Sequence, residues 1–112
     1  MIAQRFYVTS ATERFVFSLL QSLDVHHVYL IEGEPKGTWY IGYTTDLKRR
    51  LDEHNRHKNV STSKETSWKL IYCETYVNRM DALGREKFLK SGSGWRFLKK
   101  QLQHYLGEQV IS

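Results

Sequence analysis

Apolar side chains recur along the chain at two different periods, and the change of period marks the predicted elements. Over residues 11–23 they fall at helical intervals, after a capping-box spacing of Ser10 and Glu13. Residues 27–31 and 39–41 are instead short runs rich in β-forming residues. The segment between them contains glycine and proline, which favours a turn. This half of the chain therefore predicts a helix followed by a β-hairpin.

The second half alternates between helix and strand once more. Asp46 is a good N-cap for a helix that runs to about residue 56, and Asn78 is another after the strand-like run 68–77. Between them, residues 57–67 are polar and without periodicity, which predicts a surface loop. Glycines break the chain after the helix that Asn78 caps, and a last amphipathic helix ends at Gly107. The order predicts a mixed layer of three strands covered by helices, in the α/β (α+β) class.

The length and hydrophobic content fit one small domain. At 112 residues with 40% hydrophobic side chains, the chain can form a single core and is too short for two. We expect this domain to span residues 26–107, with residues 1–25 as a helical N-terminal extension and residues 108–112 as a tail. The apolar stripe of the extension would pack on the domain or on a second subunit, which predicts a monomer or a weak homodimer.

Composition disfavours several classes of protein. Cys73 is the one cysteine, so an intrachain disulfide is impossible, and the Cys and His spacings of a zinc site are absent. No apolar run approaches the roughly 18 residues of a spanning helix, and the N-terminus lacks the features of a signal peptide. We therefore expect a cytoplasmic protein with no membrane partner and no small-molecule cofactor.

The charge is positive and unevenly distributed. The chain carries a net charge of +5 and has a pI near 9.4. Lysines and arginines number three against four acids in residues 1–42, seven against five in residues 43–78, and seven against three in residues 79–112. This excess suggests an anionic partner. Charge alone leaves a nucleic acid and a merely mixed, solvated surface about equally open.

Three tyrosines lie in or beside the predicted hairpin, namely Tyr29, Tyr40 and Tyr43. Tyrosines in strands usually pack in a core, and this is one interpretation. The other needs a phenol close to cations, so that its proton, normally lost near about pH 10, becomes available to deprotonate a water molecule. Arg50 and His54 share a helix face at i and i+4, and together with a bound metal they would supply this positive charge. Arg50 is otherwise one of three consecutive cations on a solvated helix.

Glu86 stands beside the apolar stripe that Leu83 and Leu89 define on its predicted helix. A carboxylate at the edge of a core is costly unless it is paired or binds a cation. An ion pair with Arg85, Arg50 or a lysine is the simpler interpretation. The alternative is a hydrated divalent ion, because magnesium often takes only one or two protein carboxylates and keeps several waters.

Four motifs, taken in order, resemble the GIY-YIG nuclease family, and in particular its small, single-domain bacterial members. His27-Val28-Tyr29 and Tyr40-Ile41-Gly42 correspond to the two half-motifs, and their tyrosines are eleven residues apart, as the family expects. Residues 46–54, DLKRRLDEH, resemble the helix that carries the arginine and histidine of the site. Residues 82–92, ALGREKFLKSG, resemble the helix that bears the metal-binding glutamate. The match runs over residues 27–101.

The resemblance implies a three-stranded antiparallel sheet flanked by helices, here with an extra N-terminal helix. It also implies hydrolysis of DNA phosphodiester bonds with one Mg²⁺ or Mn²⁺ held by Glu86. A water would be activated by Tyr29 or Tyr40, and the phosphate would be held by Arg50 with help from His54. These five residues are the expected catalytic residues.

DNA is the expected partner, in duplex, branched or single-stranded form. Further contacts with its backbone are expected from one aromatic and several cationic side chains near the motifs, namely Tyr43, Lys48, Arg49, Lys87 and Lys90. A second hypothesis keeps the fold and the basic face but not the enzyme. In that case the chain is a nucleic-acid-binding module that cleaves slowly or not at all.

Overall fold

The structure, a computed structural model, describes residues 4–6, 25–56 and 64–111. Its elements in chain order are β1 (Gln4–Phe6), β2 (His26–Glu34), β3 (Trp39–Thr44), α1 (Leu47–Asn55), β4 (Ser67–Tyr76), α2 (Arg79–Leu89), α3 (Gly92–Gln101) and α4 (Gln103–Ile111). The predicted helix over residues 11–23 and most of the predicted loop over residues 57–67 lie outside the described residues.

The strands form one antiparallel sheet in the order β1-β4-β2-β3. Its three long strands are the three that the sequence predicts, and helices flank them, so the predicted three-stranded antiparallel sheet is confirmed. The short strand β1 adds a fourth strand beside β4, where Arg5 pairs with Glu74. Three residues are too few to show a period in the sequence, which is why β1 was not predicted.

Two hydrophobic clusters pack on opposite faces of the sheet. On one face, alternate residues of the central strands such as Val28 and Leu30 pack with residues of α2, α3 and α4. On the other face, Ile31 and Leu70 pack with Leu47 of α1. The central strand β2 is therefore buried on both sides. None of the described helices is long and apolar enough to cross a membrane.

Polar side chains cap the helices where the sequence predicts it. Asp46 accepts a hydrogen bond from the backbone of Arg49 at the start of α1, and Asn78 accepts one from Met80 at the start of α2. These caps confirm the two predicted helix starts. They also set the residues at which α1 and α2 begin after the preceding strands.

The C-terminal helices differ from the prediction in two places. Gly92 and Gly94 do not break the chain but form the first turn of α3, which Ser91 caps. Gly94 is needed there because a Cβ atom would collide with backbone atoms of Phe88 and Leu89. The predicted stop at Gly107 is also wrong, because α4 continues to Ile111. Gly107 has open space around its Cα, so it does not force an end to the helix.

Candidate active site

The candidate site is built on the pairing of β2 with β3. Tyr29 lies opposite Gly42 in the antiparallel register. The phenol ring of Tyr29 lies over this glycine, and a Cβ atom at position 42 would overlap the ring and its hydroxyl. The glycine therefore provides the space in which the Tyr29 side chain lies.

Helix α1 brings two side chains to the Tyr29 hydroxyl. The Nε of Arg50 donates a hydrogen bond to it at 3.3 Å, and Nε2 of His54 lies 2.9 Å from it. The Tyr40 ring covers the group, with its centroid 4.9 Å from that of His54 and 6.4 Å from that of Tyr29. Four of the five predicted catalytic residues are thus in one contiguous cluster.

Burial sets the protonation of this cluster. Tyr29 is 3% exposed and His54 is fully buried. Burial first, and then the charge of Arg50, lower the pKa of His54 to about 4, so its imidazole is neutral at pH 7. Since the Arg50 N–H donates to the phenol oxygen, the phenol O–H is left to donate to the neutral Nε2 of His54. The cluster is a directed chain of hydrogen bonds from Arg50 through Tyr29 to His54.

The pKa of Tyr29 differs from the expectation that nearby cations would make its proton easy to lose. Burial raises this pKa well above its ordinary value, and the hydrogen bond and charge of Arg50 offset only part of the rise. The expectation counted a bound metal among the cations and left out the desolvation of the phenolate. Any proton transfer from Tyr29 therefore needs an acceptor in direct contact, and His54 is in that position.

Glu53 was not predicted and belongs to the site. Its Oε1 accepts a hydrogen bond from Nη1 of Arg50 at 3.0 Å, in an ion pair in which both side chains are 31% exposed. One end of the guanidinium is thereby held by Glu53 while Nε faces Tyr29. The i, i+3 spacing on α1 was the available signal for this pair.

Glu86 lies on α2, which packs against β2 and β3. Its negative charge contributes, as the smallest of the causes, to the raised pKa of Tyr29, which puts the carboxylate within electrostatic reach of that hydroxyl. The side chain is 20% exposed, and Lys90 forms an ion pair with it at 3.2 Å. Arg85, one of the partners considered for Glu86, pairs instead with Glu74.

A hydrated divalent cation fits the donor set at Glu86. Among the described parts of the chain, no group of three or more His, Cys, Asp or Glu side chains forms a metal cage. The partly exposed carboxylate of Glu86 leaves room for an ion that keeps most of its waters and takes further oxygens from a phosphate. Magnesium and manganese sites in nucleotide and phosphate chemistry have this character.

The five predicted DNA contacts differ in their exposure. Lys48, Arg49, Lys87 and Lys90 are exposed. Lys48 and Arg49 form ion pairs along α1 with acidic neighbours, at 3.6 and 3.9 Å. Tyr43 is half-buried, packs against the core on the α2 side and bonds its hydroxyl to Nδ1 of His26 at 2.7 Å. Its availability to DNA stays a prediction, as do the other four contacts.

A test of the Tyr29 packing follows from the space over Gly42. Gly42→Ala should lower the free energy of unfolding by about 1–3 kcal/mol, the usual cost of inserting a methyl group into a packed core. Gly84→Ala is the matched control, because Gly84 lies in α2 with open space around it and the change should stabilise the helix by about 0.5–1 kcal/mol. Urea unfolding of both variants measures the difference. Equal stability of the two variants would show that Tyr29 does not occupy the space over position 42.

Comparison with known proteins gives one family. The model of the GIY-YIG catalytic domain matches residues 25–96. A UPF0213 protein of Halobacterium salinarum is 40% identical over 67 residues, which cover 59% of this chain and 86% of the relative. UPF0213 proteins of Streptococcus pneumoniae and Staphylococcus epidermidis are 35% and 33% identical, over 73% and 69% of this chain and 78% and 94% of the relatives. No solved structure matches the chain.

Proposed function

The chain belongs to the GIY-YIG family, and on that basis we propose that it is an endonuclease that hydrolyses DNA phosphodiester bonds with one Mg²⁺ or Mn²⁺ ion. The observation that carries the proposal is the hydrogen-bonded chain from Arg50 through Tyr29 to His54, with the carboxylate of Glu86 in electrostatic reach. A phosphate-binding cation, a proton donor with its acceptor, and a cation-binding carboxylate are the groups that phosphodiester hydrolysis needs.

We assign the proton transfer to Tyr29 rather than Tyr40. The hydroxyl of Tyr29 already has an acceptor for its proton in Nε2 of His54. The hydroxyl of Tyr40 makes no hydrogen bond to another described residue, and its ring is the more exposed of the two. Tyr40 is therefore the better placed to contact the attacking water or the phosphate.

The proposed step moves two protons in the same direction. A water bound beside the tyrosines gives a proton to the oxygen of Tyr29 while Tyr29 passes its own proton to Nε2 of His54. The oxygen of the resulting hydroxide forms a bond to phosphorus, the bond from phosphorus to the leaving sugar oxygen breaks, and that oxygen takes a proton from solvent. Because the phenol never has to exist as a free phenolate, its raised pKa is compatible with this step.

Arg50 and an ion held by Glu86 would balance the negative charge of the phosphate. The guanidinium of Arg50 is partly exposed, and a phosphate oxygen would replace or share its contact with Glu53. Glu86 would hold the divalent ion, with Lys90 displaced from the carboxylate. The ion, when bound, supplies positive charge that stabilises the pentacovalent transition state. Both side chains thus act at the moment when negative charge on the phosphate is greatest.

Cleavage of a DNA panel tests the proposal. Single-stranded, duplex and branched DNAs are incubated with Mg²⁺ or Mn²⁺ and the wild type, Glu86→Gln or Tyr40→Phe. We expect product from the wild type, at least about tenfold less from Glu86→Gln because the amide loses the charge that holds the ion, and an intermediate loss from Tyr40→Phe. Wild-type product no greater than that of Glu86→Gln would refute the enzyme.

The second candidate is a nucleic-acid-binding module on the same fold, favoured by the exposed cations of α1 and α2. In the same panel, binding measured with EDTA should weaken as salt rises, because lysines and arginines release counterions from phosphates. Salt-dependent binding without cleavage would favour the module. Binding that does not change with salt would refute both candidates.

The remaining parts of the proposal concern binding partners, oligomeric state and cellular location. We propose that DNA is the partner, that no small-molecule cofactor takes part, and that the chain acts as a monomer or weak homodimer in the cytoplasm. The cytoplasm is supported by the single cysteine, Cys73, whose thiol is free and buried in β4.

A further inference from the structure

A second polar cluster lies on the sheet face that α2 covers, away from Tyr29 and Tyr40. Glu74 of β4 is fully buried there. Its two carboxylate oxygens accept hydrogen bonds from Nε and Nη2 of Arg85, at 2.8 and 3.0 Å, and from the hydroxyls of Tyr72 and Tyr76, both at 2.7 Å. The guanidinium of Arg85 also lies over the rings of Phe88 and Phe97, at 5.1 and 4.6 Å. Arg85 is thus held by a bidentate ion pair on one side and by two aromatic rings on another.

Stability alone is a poor explanation for this cluster. Removing a carboxylate and a guanidinium from water costs several kcal/mol per ion, and apolar side chains of the same volume often stabilise a fold as well or better. Burial indeed opposes the charged form of Glu74, and the hydrogen bonds from Arg85 and the two tyrosines outweigh it and hold its pKa below the ordinary range. The best attested use of such a buried pair is to fix one geometry among several.

The geometry that it fixes is the rotation of α2 about its axis. Ala82 and Leu89 are the only fully buried residues of this helix, so its apolar packing gives little control over rotation. At roughly 100° per residue, Arg85 and Glu86 lie on opposite sides of the stripe that these two residues form. Arg85 reaches to β4 on one side, and Glu86 lies on the other side, within electrostatic reach of Tyr29.

We infer that Glu74 and Arg85 are positioning residues that set the orientation of the metal-binding carboxylate of Glu86. This inference rests on the proposed function, because it takes Glu86 as the ligand of the divalent ion. Arg85 does not touch the ion or the substrate. It holds the helix so that the neighbouring side chain faces the tyrosines.

The chain offers a matched control on the same sheet face. Glu32 of β2 is also buried and accepts hydrogen bonds from Trp39 and from the hydroxyl of Tyr105 on α4. The hydrogen bonds of Glu32 link α4 to β2 and β3. Tyr105→Phe therefore removes a tyrosine hydroxyl that contacts a buried carboxylate and leaves the contacts between Arg85 and Glu74 in place.

The test compares Arg85→Lys, Glu74→Gln, Tyr105→Phe and Glu86→Gln with the wild type. Binding of Mn²⁺ is measured by electron paramagnetic resonance, cleavage is measured as a function of Mn²⁺ concentration, and stability is measured by urea unfolding. Lysine keeps the charge of Arg85 but not its two-pronged contact, and glutamine keeps the shape of Glu74. All of these variants except Glu86→Gln are expected to lose some stability.

Of the three variants that lose stability, Arg85→Lys and Glu74→Gln should also bind Mn²⁺ more weakly, by about tenfold or more, and Tyr105→Phe should not. A loss of this size is the usual effect of removing a residue that orients a metal ligand. The cleavage rate of Arg85→Lys and Glu74→Gln should recover at saturating Mn²⁺, whereas that of Tyr105→Phe should show the wild-type Mn²⁺ dependence. Wild-type Mn²⁺ affinity in Arg85→Lys would overturn the inference and leave the pair as a fastening of the fold.

The outcomes also separate this inference from the proposed function. If the wild type binds Mn²⁺ through Glu86 but cleaves no DNA, the endonuclease is refuted, and the positioning role is still decided by the Mn²⁺ affinities. If Glu86→Gln binds Mn²⁺ as the wild type does, or neither binds it, Glu86 is not a ligand and the inference is overturned with it.

Discussion

Tyr29→Phe is expected to lower the cleavage rate kcat by about 10²- to 10⁴-fold, the range that a positioned acid or base contributes. The change removes only the hydroxyl that links Arg50 to His54. The ring still fills the space over Gly42, so the fold should persist. A stability loss of about 1–3 kcal/mol is expected, because Nε2 of the buried His54 loses the hydroxyl that contacts it. Single-turnover cleavage at saturating Mg²⁺ measures the rate.

Two further variants make this result specific. Tyr105→Phe also removes a hydroxyl that contacts a buried group, the carboxylate of Glu32, and should leave kcat unchanged. Tyr40→Phe should lower kcat by less, about tenfold, because Tyr40 lacks an acceptor for its proton among the described residues. A larger loss in Tyr40→Phe than in Tyr29→Phe would reverse the two assignments, since the proton transfer would then pass through Tyr40.

The sequence predicted which residues meet at the site because their placement depends on short-range geometry. Tyr29 and Tyr40 lie on adjacent strands of one hairpin, whose register is set locally. Arg50 and His54 are one helical turn apart on α1, and any helix places such residues on one face. The N-cap at Asp46 fixes where that face begins. Local rules therefore place each of these two pairs, and the resemblance to the GIY-YIG family brought both pairs into one predicted site.

Contacts between elements that are distant in sequence could not be predicted in the same way. The sequence suggested Arg85 as one possible partner for Glu86, whereas the packing of α2 across the sheet pairs Arg85 with Glu74. The direction of the pKa shift of Tyr29 depends on how completely α1 and Tyr40 exclude water from its hydroxyl. The spacing of residues in the sequence does not show how far water is excluded. The missing information is the relative position of elements that are distant in sequence.

The strongest test of burial at the site is the response of the fold to acid. His27 and His54 are both buried, and burial is the first cause that lowers the pKa of each to about 4. In the unfolded chain a histidine has a pKa of about 6.5, so between pH 6.5 and pH 4 the unfolded state binds more protons than the folded state. Stability is therefore fully present above about pH 6.5 and is lost as the pH falls towards 4.

The size of this loss decides whether the fold survives. A difference of about 2.5 pKa units corresponds to about 3 kcal/mol for each histidine near pH 4, or about 6 kcal/mol for the pair. Domains of this size have a total stability of about 5–15 kcal/mol. We therefore expect the urea midpoint to fall steeply between pH 6.5 and 4.5 and the wild type to be close to unfolding near pH 4.

Replacing each histidine by glutamine shows how much of the pH dependence of stability that histidine causes. His27→Gln and His54→Gln should each remove about half of the pH dependence, because glutamine cannot take up the proton that the unfolded histidine binds. His104→Gln is the control for the substitution itself, since His104 is exposed on α4. A flat urea midpoint from pH 7 to pH 5 in the wild type would show that water reaches both imidazoles. In that case His54 would be charged in mild acid, and its role as the acceptor of the Tyr29 proton would confine cleavage to neutral and alkaline pH.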